Sequence, residues 1–232
     1  MTVPLSKMPK PDAAQYTNQR KLLMVPLISA GPNAPDEAQK LEENYWSEVR
    51  DQITNLERSL SQVTHIYHQT VFVDGEDGIS LLNSVNPRGG PFINTMCQSS
   101  AKLEVAEDKN IVEENADWQR CLSIGLMSDK VRTLATESFQ ETSTQRYEHI
   151  SNTIDKTLLD GEVGALFISE DHRIQFPSDI QVFYVAPPSL DALKRWFSDQ
   201  MRSYEQPQEP SPDVDDSSEI QEDTNTDNPV KE

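Results

Sequence analysis

From Asp36 onward the chain carries a single apolar stripe that limits what it can build. Apolar residues stand at Ala38, Leu41, Tyr45, Val49, Ile53, Leu56, Leu60 and Val63, in steps of 3, 4, 4, 4, 3, 4 and 3. That spacing is one face of a helix, and Glu, Asp, Arg and Gln fill the other face. Pro35-Asp36, with Gln39 three residues after Asp36, reads as the helix start. A helix over 36–62 with one greasy side must cover a surface. We read it as lying on a β-sheet, with a short coiled coil as the alternative.

The segments around it supply that sheet. Lys21 to Ser29 is an apolar run in which Pro26 marks a bulge, an edge position or the strand end. Val63 to Val73 is rich in β-branched and aromatic residues and fits a second strand. Lys102 to Ala106 fits a short one. Val163 to Ser169 and Asp179 to Ala186 are two more. Gly75 to Gly78 reads as a turn, Ile79 to Val85 as a short helix, and Arg88 to Pro91 as a loop. From Lys109 to about Asp160 the chain reads as helical, with a break around Gly125 to Ser128. In its second part Val131, Leu134, Ala135, Phe139, Tyr147, Ile150, Ile154 and Leu158 lie close to one stripe. Pro187-Pro188-Ser189 opens a last helix, Leu190 to about Tyr204. Helices alternating with continuous apolar strands predict an α/β fold: a layered sheet of four to five partly parallel strands flanked by helices. The expected division is an irregular arm over 1–19, a globular domain over 20–204 with a potential subdomain break near 107–128, and a disordered acidic tail over 205–232.

Charge excludes several classes of partner. The 232 residues include 20 basic and 39 acidic ones, for a formal charge of −19. Ten acids and one base fall in 205–232, so that segment alone carries −9. Duplex nucleic acid and anionic membrane surfaces are recognised through clustered Lys and Arg, and the chain has no basic run. No apolar stretch approaches the roughly 20 residues of a membrane span. Met1 to Asp12 lacks the apolar core of a signal peptide, so the expected location is the cytoplasm, with Cys97 and Cys121 as reduced thiols.

Residues with chemical capacity are few. Glu170-Asp171-His172 follows the strand 163–169, and ligands in α/β sheets gather at the carboxyl ends of strands. An acid beside a histidine there is a candidate general acid–base pair; Arg173 adds a potential anion contact. His65 and His68 are three apart, but on a strand they point to opposite faces, so no metal site is expected. Trp118, Cys121 and Leu122 fall at helical spacing and are expected to face the core. Neither cysteine has a histidine placed beside it to make a nucleophile. There is no Gly-x4-Gly-Lys, no Gly-x-Gly-x-x-Gly and no Gly-x-Ser-x-Gly. With eight glycines in the chain, no nucleotide cofactor is expected.

The stretch 147–200 carries a resemblance. A helix with Tyr147, Ile150 and Ile154 runs into Leu159-Asp160-Gly161-Glu162-Val163-Gly164-Ala165-Leu166-Phe167-Ile168-Ser169. This is similar to the third domain of archaeal and eukaryotic peptide chain release factors and their bacterial relatives, where a helix ends in a glycine turn and feeds a buried strand. The resemblance implies an L7Ae-like α/β/α region and a setting near ribosomes. Release factors cleave peptidyl-tRNA with a Gly-Gly-Gln loop. Here the double glycine Gly89-Gly90 is followed by Pro91, so no peptide-release residue is carried over.

The expected function is therefore a non-enzymatic, cytoplasmic, release-factor-like protein working through protein contacts, with the helix over 36–62 and the acidic tail as contact elements. The alternatives are a small hydrolase or transferase with its site at Glu170, Asp171 and His172, and an adaptor unrelated to translation.

Overall fold

The computed structural model describes residues 18–205. The arm expected over 1–19 and the tail expected over 205–232 lie almost wholly outside the described residues.

Five strands form one sheet: β1 (Arg20–Pro26), β2 (Val63–His68), β3 (Lys102–Leu103), β4 (Val163–Ile168) and β5 (Ile180–Tyr184). Their order is β3-β2-β4-β1-β5, and every pairing is parallel. β4 is the centre, and all six of its residues are buried. This is why its sequence is a continuous apolar run rather than an alternating one. Gly164 in β4 has no room for a side chain, since a Cβ there would stand 3.0 Å from the Tyr67 ring and 3.1 Å from Leu22.

Six helices accompany the sheet among the described residues: α1 (Asp36–Ser59), α2 (Gly75–Val85), α3 (Gly90–Ser99), α4 (Lys109–Ser123), α5 (Asp129–Thr157) and α6 (Pro188–Glu205). On one face Leu23, Val25, Ile66, Ala165 and Phe167 meet Tyr45, Val49 and Ile53 of α1, Leu82 of α2, Ile93 of α3 and Leu193 of α6. On the other, Leu22, Tyr67, Leu166 and Ile168 meet Ile150 and Ile154 of α5, together with Ile174 from the β4–β5 connection. Connections over the first face move from β1 to β2 to β3. Those over the second return from β3 to β4 to β5, stepping the opposite way. Changing face and direction together keeps all four crossovers of one hand, as parallel sheets require.

The stripe of α1 covers the sheet, as its spacing predicts: Ala38, Tyr45, Val49 and Ile53 are buried. Its start differs in detail. The side chain of Gln39 donates to the carbonyl of Ala34 at 2.8 Å instead of closing a capping box. Four sequence expectations need correction. Residues 75–78 belong to α2 and not to a turn. Residues 90–99 form a helix, α3, with Pro91 in its first turn, where a missing N–H costs nothing. Val131 and Leu134 are exposed although they share a stripe with Ile150 and Ile154. Trp118, Cys121 and Leu122 join neither core.

The last two corrections have one cause. α4 and the first half of α5 pack on each other as an antiparallel hairpin, and residues 109–146 supply nothing to either core. At 1.5 Å per residue, the 18 residues from Asp129 to Arg146 reach about 27 Å beyond the part of α5 that lies on the sheet. Asp108 and Ser128 cap the two helices, accepting from Asn110 and Ile111 and from Val131 respectively.

Ile53→Ala, at a site 1% exposed, should lower the free energy of unfolding by about 2–5 kcal/mol in a denaturant titration. Leu134→Ala, on the same kind of stripe but on the hairpin, should change it by less than about 0.5 kcal/mol.

Candidate functional site

In a parallel sheet a crevice opens at the carboxyl ends of strands whose connections leave toward opposite faces. Here that happens around β4. The chain leaves β1 and β2 over one face and β4 over the other. A cavity of about 290 Å³ lies at this point. It is lined by Leu27, Ile28 and Ser29 after β1, by His68, Gln69 and Thr70 at the end of β2, by Trp46 of α1, and by Val85, Asn86 and Pro87 at the end of α2.

His68 is the fixed point of this crevice. It is 1% exposed and its ring stacks on Phe167 at 6.0 Å between centroids. Nδ1 lies 2.5 Å from the Gln69 carbonyl, so it carries the proton and donates. Nε2 then accepts from the Asn86 amide at 3.3 Å. Asn86 in turn accepts from the Gly89 N–H at 2.8 Å. Burial holds the imidazole down to about 4, against an ordinary value of 6.5, despite the Gln69 carbonyl, which opposes the shift. The ring is therefore neutral at physiological pH.

A second network fixes the rim. Arg88 donates to Glu43 at 2.7 Å and to Gln39 at 3.0 Å. It also stands 3.3 Å from Glu42, whose carboxylate accepts from the Ala30 N–H at 3.0 Å. The loop Asn86 to Gly90 is thus clamped to α1 and to the segment after β1. It approaches α1 so closely that a Cβ on Gly89 would fall 2.6 Å from the Trp46 ring. On the sheet side, Thr70 is held in the left-handed region at φ 74°, an unfavourable conformation for a β-branched residue. Its N–H donates to the buried Glu107 carboxylate at 3.1 Å.

The acid–base residues singled out from the sequence do not line this cavity and are engaged otherwise. Glu170 follows β4 as expected, and accepts from Lys194 at 2.5 Å and from the Tyr184 hydroxyl. These partners hold its carboxyl below the usual range against the desolvation that raises it. The His172 ring accepts from the Ile174 N–H at 3.3 Å, and partial burial lowers its proton affinity while Asp171 raises it. Neither Glu170 nor His172 has the other as a hydrogen-bond partner. His65 and His68 do lie on opposite faces, His65 between the carboxylates of Glu104 (2.8 Å) and Glu162 (3.2 Å). Cys97 and Cys121 are free thiols. Burial pushes the Cys97 thiol up, away from nucleophilic character. Helix α1, expected as a contact element, has its apolar stripe packed on the sheet, as that stripe was read.

Sequence reasoning singled out the segment after β4, weighed His68 only as a metal ligand beside His65, and did not single out Asn86 or Trp46. The cluster Asn86-Pro87-Arg88-Gly89-Gly90 was the available signal, since it punctuates two helices beside a strand end. Fold and crevice together define a parallel α/β protein with an uncharged polar pocket at its topological switch. Set against known protein families, curated proteins and solved structures, the chain matches none. Among the described residues, no helix is long and apolar enough to cross a membrane.

The depressed proton affinity of His68 has a measurable sign. The unfolded chain binds a proton near pH 6.5 and the folded chain only near 4, so this contribution to stability is present above pH 6.5 and is lost as pH falls toward 4. Between pH 7.5 and pH 4.5 the wild type should lose roughly 2–3 kcal/mol more unfolding free energy than His68→Gln. Urea titrations of both proteins at the two pH values measure this difference. Equal losses would show that His68 is not held neutral.

Proposed function

We propose that the chain is a non-enzymatic protein that works by binding another protein, and that the tip of the α4–α5 hairpin is its contact element. One observation carries this reading. The hairpin stands clear of both cores and ends in exposed apolar side chains: Met127 is 96% and Ile124 74% exposed, with Val131 and Leu134 beside them. Large apolar groups presented together at the end of a rigid projection contribute nothing to folding, and such groups mark contact sites. The root of the hairpin is built to hold it rigid. Arg146 pairs with the fully buried Glu107 and donates to Asn115 at 2.8 Å. Asn115 donates to Thr142 and Ser143, both at 2.9 Å.

Two further points favour binding over catalysis. Glu170 is tied up by Lys194 and Tyr184. The residues lining the crevice carry no formal charge, and His68 and Asn86 are paired to each other. The likeness of 147–200 to release-factor third domains directs the search for the partner to the ribosome. Without a Gly-Gly-Gln loop, the role there is attachment rather than peptide release.

Sedimentation of cell lysate through sucrose at moderate salt tests this. The tagged wild type should travel with ribosomes, and a double variant, Ile124→Asp with Met127→Asp, should stay at the top while keeping the wild-type melting temperature. Wild type remaining at the top would overturn the ribosomal part of the reading. A variant that still sediments would overturn the role of the tip.

A further inference from the structure

The projecting half of α5 carries a charge pattern that fits a copy of itself. Lys130, Leu134, Glu137 and Glu141 stand in steps of 4, 3 and 4, which is one helical stripe, and all four are exposed. Ala135 and Thr142, on the opposite side of the helix, are buried, and Thr142 meets Asn115 of α4. The stripe therefore faces away from α4. We propose that it is an interface between two copies of this chain, paired antiparallel about a two-fold axis at Leu134. The proposal rests on the reading of the hairpin as the contact element and assigns its side, as distinct from its tip, to a second copy.

Charge complementarity carries the argument. Lys130 lies four residues before Leu134, and Glu137 lies three after it. An antiparallel partner centred on Leu134 sets Lys130 of each copy against Glu137 of the other, with Leu134 against Leu134 between the two ion pairs. A parallel partner would set Lys130 against Lys130 and Glu137 against Glu137. The pattern thus selects one orientation. The groups are also available. Among the described residues Lys130, Glu137 and Glu141 have no ion-pair partner in their own chain, whereas near the tip Arg120 pairs with Asp117 and Arg132 with Asp129. Leu134 is 57% exposed, and its counterpart in the partner covers it. The chain carries a formal charge of −19, so a contact between copies has to bring its own opposite charges, and this stripe does.

The hairpin leaves room for the partner. At 1.5 Å per residue, Leu134 stands about 18 Å from Arg146 at the root, while the partner's hairpin extends only about 10 Å past the axis to its tip. Each tip therefore ends level with Glu141 of the other copy, short of its sheet. The seam is small beside a standard interface, so the dimer is weak, with a dissociation constant on the order of 10–100 µM.

Sedimentation equilibrium of the purified full chain tests this, at about 0.15 M salt, where charge is screened beyond about 8 Å. The wild type should be mainly dimeric at about 200 µM and monomeric at about 2 µM. Lys130→Glu and Glu137→Lys should each be monomeric at both concentrations, with the wild-type melting temperature. An equimolar mixture of the two variants should dimerise again, because it restores opposite charges at both contacts. A double variant carrying both substitutions in one chain should do the same. A wild type that is monomeric at the higher concentration overturns the proposal. So does a dimer that both single variants retain, and so does a mixture or double variant that stays monomeric. Purified protein contains no other partner, so failure here leaves the ribosome sedimentation result standing, and failure of that result leaves this one standing.

Discussion

The ion pair between Arg146 and Glu107 is the joint of this molecule. Glu107 is fully buried and Arg146 nearly so. A carboxylate in that position is tolerable only when its lone pairs are filled. Arg146 takes both oxygens, through Nε at 2.9 Å and through Nη2, and the Thr70 N–H adds a third donor. Three pieces of chain far apart in sequence therefore meet at one side chain: the end of β2, the lead into α4, and the middle of α5. Removing either partner would leave an uncompensated buried charge. The hairpin would lose its root and Thr70 its restraint in the same step.

Much of what surrounds that joint follows from where β4 sits. Because β4 is inserted between β1 and β2, the chain reaches it only after β1, β2 and β3, yet the sheet is built around it. Its residues must be apolar on both faces, and its connections must leave opposite to those of its neighbours. The crevice at the carboxyl ends is a consequence of that topology, not of any motif. Arg20 secures the other end of the sheet, pairing with Asp155 at 2.8 Å and Asp179 at 2.7 Å. It ties the start of β1 to the end of α5 and the approach to β5. The amino end of β1 is locked by charge, while at the carboxyl ends the cavity itself is lined by uncharged groups and the ion pairs stand around it.

Periodicity made part of this legible. The α1 stripe and the unbroken run of β4 each state a burial environment that the local sequence alone determines. α3 was hidden because Gly89-Gly90-Pro91 reads equally as a loop or as a helix start, and only packing on Asn83 and Trp46 decides between them. The α5 stripe was overread for a different reason. One helix face continues from Val131 to Ile154, but the surface opposite it changes from α4 to the sheet halfway along. A stripe records that something apolar is on one side of the helix. It does not record what covers it, or whether anything does. The site was least legible of all. His68 and Asn86 are 18 residues apart with α2 between them. Trp46 lies off the main stripe of α1. Their convergence is a property of the sheet order.

The same reasoning sets the relation between the two surfaces. Thr70 lines the crevice, and its N–H is bonded to the carboxylate that roots the hairpin. A β-branched residue at φ 74° stores strain of about 1–3 kcal/mol and keeps that shape only where its surroundings over-determine it. Glu107 is that determinant, and Arg146 holds the Glu107 side chain in place through both carboxyl oxygens. The crevice wall and the projecting helices are thus restrained by one carboxylate. Neither can be loosened at its root without a cost that falls on the other.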